Sequence, residues 1–455
     1  METGTEEVVD APGEDRTEVT LVLNMQPEEF MAIRQRFLAG LAAQLRCEAS
    51  DLEITSIRYG CTKVTVRMTP SRAVETLALA NSSQSQGEEF RVEFHVRSAY
   101  FSEHIVLVRS DGREFTWMHI SDIHFEEEAG AHAASQERVK KAFLNDLPEV
   151  LGDDDLVPDA VFVTGDIAQR GSSLEYEKAL DFLTQLKGIL PNPSAPVMVV
   201  PGNHDVQRDI VTKHQSDEDA ALKLLTTNDT IIDFLKASKS KPERDRIFSR
   251  LDNYFAFANK CAPLGQPPMN HGYFYTTELA HQGLRIGIAG LNSAWRCSSD
   301  EDHGRLVLGV PQIDQAIDDL AEADVRLLLL HHPVESGWFV YEDQIYQRNE
   351  LQKFDFILRG HEHDPHAVSL HQLHATPSYR FAAGALYTHE KFPKSVNAVR
   401  LNLDRGSARL FYWRLSPAKY QWVPDVDFHR QGSVQFPLLP QTKARVAARA
   451  LPPAA

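Results

Sequence analysis

The pattern of apolar and polar residues from about residue 114 onward predicts a buried β-sheet flanked by helices. Five short runs, each of strand length, precede polar turns and read as buried strands; they are residues 115–120, 160–164, 197–200, 326–330 and 354–358. Apolar positions at helical spacing predict helices over 136–147, 173–186 and 311–323. Alternating strands and helices are typical of an α/β domain with helices in its outer layers.

Two further regions complete this part. The interval from 205 to 282 holds two helical segments, 218–235 and 244–261. They form either a cap that helps define a pocket or a packing element on the sheet edge, and the sequence favours neither. Residues 398–403 and 408–415, joined at Asp404-Arg-Gly406, predict closing strands of a two-sheet core.

A separate pattern occupies residues 18–98. Strands are predicted at 19–23, 52–59, 63–68 and 90–96, and helices at 27–45 and 71–80. The order β-α-β-β-α-β is that of a small ferredoxin-like α+β domain. This domain contains no catalytic cluster, and we expect it to serve regulation, a protein partner or homo-oligomer formation.

Composition and charge narrow the classes of function. The 455 residues suggest two or three units, and 47 basic against 64 acidic residues give a net charge of −17. That charge opposes nonspecific contact with nucleic acid phosphates, so nucleic acid is a disfavoured partner. Four widely spaced cysteines indicate neither a disulfide framework nor a zinc ribbon, which fits a reducing cytoplasm.

The ends of the chain read as tails. Residues 1–17 are acidic and lack the basic start and apolar core of a secretory signal, so we expect a disordered tail. No run approaches the roughly 20 apolar residues that a membrane span needs. Residues 437–455 are rich in Pro and Ala and predict a flexible tail.

Five polar clusters follow the five predicted strands and carry the candidate chemistry. They are Asp122-Ile-His124, Gly165-Asp166, Gly202-Asn-His-Asp205, His331-His-Pro333 and Gly360-His-Glu-His363. Since α/β sheets place active sites at the carboxyl ends of their strands, we expect all five at one rim of a sheet. Carboxylate, imidazole and amide groups suit Mn, Fe, Zn or Ni, and two neighbouring ions need a bridging carboxylate, for which Asp166 is our choice.

The strings SDIHF, TGDIA, PGNHD, LHHP and RGHEH resemble the five sequence blocks of the calcineurin-like metallophosphoesterases. The segment Gly290-Leu-Asn-Ser-Ala-Trp295 resembles the branch with cyclic-nucleotide phosphodiesterases and purple acid phosphatases, and the likeness extends over about 114–415. It implies a four-layer α/β/β/α sandwich, placed at residues 113–436, and a binuclear metal site.

The resemblance also implies a role for individual residues. The ligands of the first metal are Asp122, His124, Asp166 and His363, and those of the second are Asp166, Asn203, His331 and His361. By the same resemblance, His204 is the general acid that protonates the leaving oxygen, and Asp205 orients the ring of His204.

One position departs from purple acid phosphatases. Gln169 stands where those enzymes have a tyrosine that binds ferric iron, so no such iron site is expected. Arg170 either contacts the substrate phosphate or, as the more favoured alternative, caps a helix or faces solvent. His119 and His332 are predicted to be interior or packing residues, not ligands.

The sequence therefore predicts a phosphoester hydrolase with two divalent metals, in first place a phosphodiesterase. The alternatives are a phosphomonoesterase or nucleotide phosphatase, then a nuclease. A hypothesis from a different class is a metal-binding regulatory protein that acts through its N-terminal module.

Overall fold

A computed structural model shows two compact units within the chain. It describes residues 17–23, 25, 27–58, 62–69, 72, 76, 94, 96–101, 113–127, 131–236, 242–299, 301–370, 377–387, 392–429 and 431–449. The first unit comprises Met1–Val108 with Leu151–Asp155, and the second comprises Arg109–Val150 with Leu156–Ala455. No helix in the described ranges has the length and apolarity needed to cross a bilayer.

The first unit has a four-stranded antiparallel sheet and helix α1, Pro27–Gln44. Its strands, in the spatial order β2-β3-β1-β4, are β1 Thr17–Leu23, β2 Glu53–Arg58, β3 Thr62–Met68 and β4 Val96–Phe101. This is the strand order of a split β-α-β arrangement. The apolar face of α1, with Phe30, Phe37 and Leu41, shares a core with the sheet.

Two predictions for this unit lie largely outside the described residues. Of the predicted helix over 71–80, the structure describes only Arg72 and Thr76, and of the strand over 90–96 only Phe94 and Val96. Strand β4 instead runs from Val96 to Phe101 and pairs with β1, which carries the first unit beyond Ser98.

The second unit contains a seven-stranded sheet that carries the first three polar clusters. Its strands are β5 Glu114–Ile120, β6 Ala160–Thr164, β7 Val197–Val200, β14 Ser395–Asn402, β15 Ser407–Ser416, β16 Gln421–Pro424 and β17 Ser433–Pro437. Their order is β16-β15-β14-β5-β6-β7, and β17 also pairs with β15. Strands β5, β6 and β7 are parallel, so their carboxyl ends lie along one edge.

A six-stranded sheet carries the other two clusters. Its strands are β8 Tyr275–His281, β9 Leu284–Gly290, β10 Val325–Leu329, β11 Phe356–Arg359, β12 His366–Leu370 and β13 Ser378–Ala382. Their order is β12-β13-β11-β10-β9-β8, with β9, β10, β11 and β13 parallel. The expectation of one rim on one sheet is therefore wrong, because the five clusters are divided between two sheets.

The two sheets pack face to face through a common apolar core. Trp117 of β5 meets Phe356 of β11 with ring centroids 5.2 Å apart, and both side chains are fully buried. Because both faces of these strands are covered, their sequences read as continuous apolar runs and not as alternating ones. This packing brings the carboxyl ends of both parallel strand sets to one common region.

Helices cover the outer faces, as the predicted four-layer α/β/β/α sandwich requires. On the seven-stranded sheet lie α2 Ala131–Asp153 and α3 Ser173–Ile189, where Phe143 of α2 contacts Trp422 of β16. On the six-stranded sheet lie α9 Val310–Asp319 and α11 Pro440–Ala448, in contact with β8 and β10. Helix α10, Tyr341–Glu350, adjoins α9.

The described residues of the long interval after β7 form five α-helices: α4 Arg208–Lys213, α5 Gln215–Leu224, α6 Asn228–Leu235, α7 Pro242–Phe248 and α8 Asp252–Lys260. Thr227 divides the segment predicted as one helix, because its side chain accepts from the amide of Thr230 and begins α6. The buried carboxylate of Glu218 pairs with both Arg250 and Arg296, which ties these helices to the loop that follows β9.

The predicted flexible tail from 437 onward is wrong for the residues described to 449. Pro440 begins α11, and Val446 joins the common core. Arg445 binds the carboxylate of Asp355 at 2.5 Å, and the hydroxyl of Thr442 donates to the same group at 2.7 Å. The Pro and Ala content that suggested a tail is also compatible with a short helix after an initial proline.

Because every predicted metal ligand belongs to the second unit, a shortened chain that begins at Arg109 should fold and keep its metal affinity. Circular dichroism would report its fold and calorimetric titration with Mn²⁺ its affinity, with the full chain as control. A shortened chain that is folded and soluble but binds no metal would show that the first unit completes the centre.

Candidate metal centre

The five polar clusters converge where the parallel strands of both sheets end. Asp122 and His124 follow β5, Asp166 follows β6, and Asn203 with His204 follows β7. From the other sheet, His331 follows β10, and His361 and His363 follow β11. The loops after β5 and β6 remain paired, since the amides of Ile123 and His124 both donate to the carbonyl of Asp166 at 2.9 Å.

The first predicted ligand set forms one compact group. Ligand atoms of Asp122, His124, Asp166 and His363 all lie within 4.8 Å of one another. The Nε2 atoms of His124 and His363 are 3.4 Å apart, and His363 Nε2 is 3.1 Å from Asp122 Oδ1. Nitrogen and carboxylate oxygen atoms therefore converge on one point, as ligands of a common cation do.

The second predicted set lies beside it. His361 Nδ1 is 3.0 Å from Asn203 Oδ1 and 3.3 Å from His331 Nε2, which is itself 3.3 Å from Asp166 Oδ2. The same Oδ2 atom is 3.9 Å from His124 Nε2 in the first set. Asp166 thus stands between the two sets, in the position of a bridging carboxylate.

His332 also lies close to His331 and His361, yet its ring points elsewhere. Its Nδ1 is 2.9 Å from Ser293 Oγ, and its Nε2 is 3.7 Å from Cys297 Sγ. Burial lowers the pKa of His332 well below its usual value. It is a neutral packing residue, as the sequence predicts, and Asn203 is the better candidate ligand.

The backbone at the centre adopts an uncommon conformation. Asp122, His124, Asp166, His361 and His363 have φ angles of 53°, 52°, 51°, 75° and 57°, and they make up five of the nine non-glycine residues with positive φ in the described ranges. Each such residue costs about 1–3 kcal/mol, and such residues cluster at functional sites. The local strain turns the side chains of both sheets toward one point.

Two glycines let the loops approach closely. A Cβ atom at Gly165, where φ is +87°, would lie 2.6 Å from His331 Nδ1. A Cβ atom at Gly202 would overlap the carboxylate of Asp166. Both glycines therefore keep the space in which the second ligand set is assembled.

The charges at the centre favour a bound cation. Burial alone would raise the pKa of Asp166, but the charges of His331 and His204 hold it well below its usual range. Burial would also raise the pKa of Asp122, but the hydrogen bond from His363 lowers it. Two carboxylates thus share a buried site, where protonated histidines, or a bound cation in their place, supply the positive charge that burial of ionised carboxylates requires.

Two of the histidines are held in the neutral form that binds metals. Burial lowers the pKa of His124 to about 4 and that of His361 to about 3. For His331, burial acts in the same direction and is the largest single cause, but the charge of Asp166, the hydrogen bond to Asp166 and the charge of Asp122 together outweigh it and raise the pKa to about 9. The Nδ1 atom of His331 donates to the carbonyl of Thr164 at 2.7 Å, which leaves Nε2 directed at the centre.

His204 lies beside the first set and not within it. Its ring contacts that of His124 with centroids 4.7 Å apart, and its amide donates to Asp166 Oδ1 at 2.8 Å. Its Nδ1 is 3.0 Å from the carbonyl oxygen of Gln169. The residue that orients the ring is therefore Gln169, through its backbone.

The predicted role of Asp205 as the residue that orients His204 is wrong. Its Oδ1 accepts from the amide of Ala168 at 2.9 Å and from the hydroxyl of Tyr176 at 3.0 Å. Its Oδ2 accepts from the amides of Gly202 at 2.8 Å and Ile167 at 3.3 Å. Burial and the charge of Asp166 raise its pKa to about 6. Asp205 therefore joins the loops after β6 and β7.

Sequence reasoning missed several supporting groups. The Ser293 hydroxyl accepts from the amides of His331 and His332 at 3.3 and 3.2 Å. The carbonyls of Thr164 and Gln169 orient two histidine rings, and a backbone carbonyl leaves no mark in the residue type. Only Ser293 had a signal, because it lies in the Leu-Asn-Ser string, in which the neighbouring Asn292 also binds loop backbone.

The structure also places His119 and Arg170. His119 is fully buried, 2.9 Å from Thr164 Oγ1 on the neighbouring strand, and is an interior residue as predicted. Arg170 has an exposed side chain, and its amide donates to Glu175, whose carboxylate also accepts from Ser172 at the start of α3.

Carboxylate, imidazole and amide donors arranged around one shared aspartate suit divalent metal ions of borderline character. A family model for calcineurin-like phosphoesterases matches residues 115–365, more than half of the 455 residues. The chain belongs to the calcineurin-like phosphoesterase family, so the resemblance seen in the five strings is confirmed.

Relatives of this chain share little sequence with it. The uncharacterised metallophosphoesterase-like protein YydB of Bacillus subtilis (strain 168) is 21% identical over 313 residues, which are 65% of this chain and 59% of that protein. A Vps29 single mutant from Entamoeba histolytica is 12% identical with a TM-score of 0.29, over 71% of this chain and 99% of that one. A predicted phosphoesterase from Streptococcus pneumoniae TIGR4 is 13% identical with a TM-score of 0.26, over 71% and 98%.

If Asp205 joins the two loops, Asp205→Ala should weaken both metal sites as well as the fold. Losing a buried acceptor of four donors should lower the free energy of unfolding by at least about 3 kcal/mol, whereas the control Tyr176→Phe should cost only about 1 kcal/mol. Denaturant unfolding and Mn²⁺ titration would measure both effects. If the Asp205→Ala variant kept its full stability and metal content and only its turnover were slow, the role of Asp205 in orienting His204 would be restored.

Proposed function

We propose that this chain is a binuclear metal-dependent phosphodiesterase. The observation that carries the proposal is the position of Asp166, whose Oδ2 lies 3.3 Å from His331 Nε2 and 3.9 Å from His124 Nε2. One carboxylate oxygen is thus shared by two sets of ligands. Membership of the calcineurin-like phosphoesterase family supports metal-dependent phosphoester hydrolysis as the chemistry.

The first metal would be held by Asp122, His124, Asp166 and His363, and the second by Asp166, Asn203, His331 and His361. Mn, Fe, Zn and Ni all suit these donors. When bound, two such ions activate a water and stabilise the charge on the attacking and leaving oxygens of a phosphoryl displacement. The carboxylate of Asp166 would neutralise part of the charge of both ions, which would allow two cations to lie close together.

His204 would act as the general acid. A carbonyl oxygen only accepts hydrogen bonds, so the contact with Gln169 keeps a proton on Nδ1 of His204 and leaves Nε2 to hold the transferable proton. The hydrogen bond from the backbone amide of His204 to the carboxylate of Asp166 fixes the distance of this ring from the ligands. The proton would pass to the oxygen of the departing alcohol.

The charge balance around the centre supports a diester over a monoester. A diester carries one negative charge and a monoester nearly two near neutral pH, so a monoester gains more from free cationic side chains. Three arginines near the ligand loops are already paired with carboxylates: Arg296 with Glu218, Arg359 with Glu362, and Arg380 with Glu335. The net charge of −17 adds further repulsion of dianions.

Replacing the shared carboxylate tests the binuclear centre. Asp166→Asn removes one charge that both ions need, so metal content should fall from close to two equivalents to less than one, with loss of turnover. Elemental analysis of the purified proteins would measure this, with the exposed Asp364→Asn as control. One equivalent in the native protein that persists in the variant would contradict the assignment.

Replacing the proposed acid tests the chemistry separately. His204→Ala should retain both metals and slow turnover by roughly 10²–10⁴ for esters of alkyl alcohols. The loss should shrink for p-nitrophenyl esters, because their leaving group needs little protonation. Steady-state rates on a series of diesters with different leaving groups would show this, and an equal loss across the series would refute the role.

A further inference from the structure

A tryptophan stands beside the second ligand set with part of its surface open. The ring of Trp338 meets that of His361 edge-on, with centroids 4.3 Å apart and an interplanar angle of 89°. The chain has five tryptophans, and Trp117, Trp295, Trp413 and Trp422 are at most 5% exposed. Trp338 is half-buried, so the one tryptophan at the metal centre is also the one that is not enclosed by the core.

The loop that carries Trp338 is anchored on both sides. The amide of Leu306 donates to the carbonyl of Trp338 at 3.0 Å, and the amide of Val340 donates to the carbonyl of Leu306 at 2.9 Å. Earlier in the loop, Glu335 pairs with Arg380, a buried residue of β13. The backbone that carries the indole is therefore fixed, and the indole itself packs against the rings of His303 and His361, with centroids 5.0 and 4.3 Å apart. A ring that is already held in place lowers the entropic cost of binding to it.

A second contact anchors the loop to the ligand cluster itself. The hydroxyl of Ser336 donates to Glu362 at 2.8 Å, and Glu362 also pairs with Arg359 at 2.8 Å. Glu362 lies between His361 and His363 in sequence. The position of the indole is thus coupled directly to the positions of the ligands.

Trp338 and His204 lie against different ligand sets. Trp338 contacts His361 of the second set, while the ring of His204 contacts His124 of the first set. Because His204 would protonate the leaving oxygen, a group that rests on Trp338 belongs to the ester that is retained. A flat aromatic group is the best partner for an indole face.

We propose that Trp338 is a specificity-determining residue that stacks on a nucleobase carried by the retained ester of a phosphodiester substrate. The inference rests on the proposed function and narrows its substrate to nucleoside phosphodiesters. The net charge of −17 repels long polyanions, so the substrate is a small nucleotide and not a polymer.

The test uses three substrates with one leaving group: the p-nitrophenyl esters of thymidine monophosphate, methyl phosphate and phenyl phosphate. The native protein should have a higher kcat/KM for the thymidine ester than for the methyl ester, mainly through a lower KM. Trp338→Leu should reduce that ratio by about 10- to 100-fold, the range for loss of one base stack. Trp338→Phe should restore most of it, and both variants should keep their metal content.

Tyr341→Leu is the matched control, since Tyr341 is an aromatic residue 76% exposed on α10 and outside the centre. It should leave the ratio unchanged. An unchanged ratio in Trp338→Leu, or a loss of metal with equal slowing of all esters, would show that Trp338 only supports His361 and would overturn the inference. A gain for the phenyl ester equal to that for the thymidine ester would also overturn the assignment to a nucleobase.

Failure of the proposed function can be distinguished from failure of the stacking inference. If the native protein hydrolysed none of the three esters with any metal, the function would be wrong. Stacking would still be measured by quenching of indole fluorescence with thymidine monophosphate, where Trp338→Leu should abolish the quenched component. Quenching that persists in this variant would overturn the inference independently.

Discussion

The candidate metal centre depends on one buried carboxylate shared between two groups of candidate ligands. Asp166 is nearly inaccessible to solvent, and an ionised carboxylate there is costly unless positive charge surrounds it. Its Oδ2 faces histidines from both sheets, its Oδ1 accepts the amide of His204, and its carbonyl accepts the amides of Ile123 and His124. Four of the five loops therefore meet at this residue, and its position fixes theirs.

The fold supplies the rigidity that this arrangement needs. Two parallel strand sets end at a common region because their sheets share one apolar core, which Trp117 and Phe356 illustrate. Five residues have a left-handed backbone, which is unfavourable by itself: Asp122, His124, Asp166, His361 and His363. The packed strands and the hydrogen bonds that backbone amides donate between the loops must therefore hold this conformation. Asp205 contributes to that support by joining two of the loops.

The strands and the candidate ligands were predictable from the sequence because both depend on residue type. Continuous apolar runs marked the strands, and polar clusters at strand ends marked the candidate ligands, since buried parallel strands and metal ligands each restrict the side chains allowed. The division of the clusters between two sheets was not predictable, because periodicity does not reveal which strands pair.

Helix α11 was missed because its Pro and Ala content also suits a tail. The partner of His204 and three of the four partners of the Asp205 carboxylate were missed because they are backbone groups, which any residue supplies. The cytoplasmic location and the role of the first unit stay predictions.

A bridged pair of ions has a magnetic signature that two separate sites lack. Electron paramagnetic resonance of the protein loaded with two equivalents of Mn²⁺ therefore tests the central claim most directly. The account predicts a spectrum with the many closely spaced lines of an exchange-coupled manganese pair, which Asp166→Asn should lose. The simple six-line spectrum of isolated Mn²⁺ in the fully loaded native protein would contradict it.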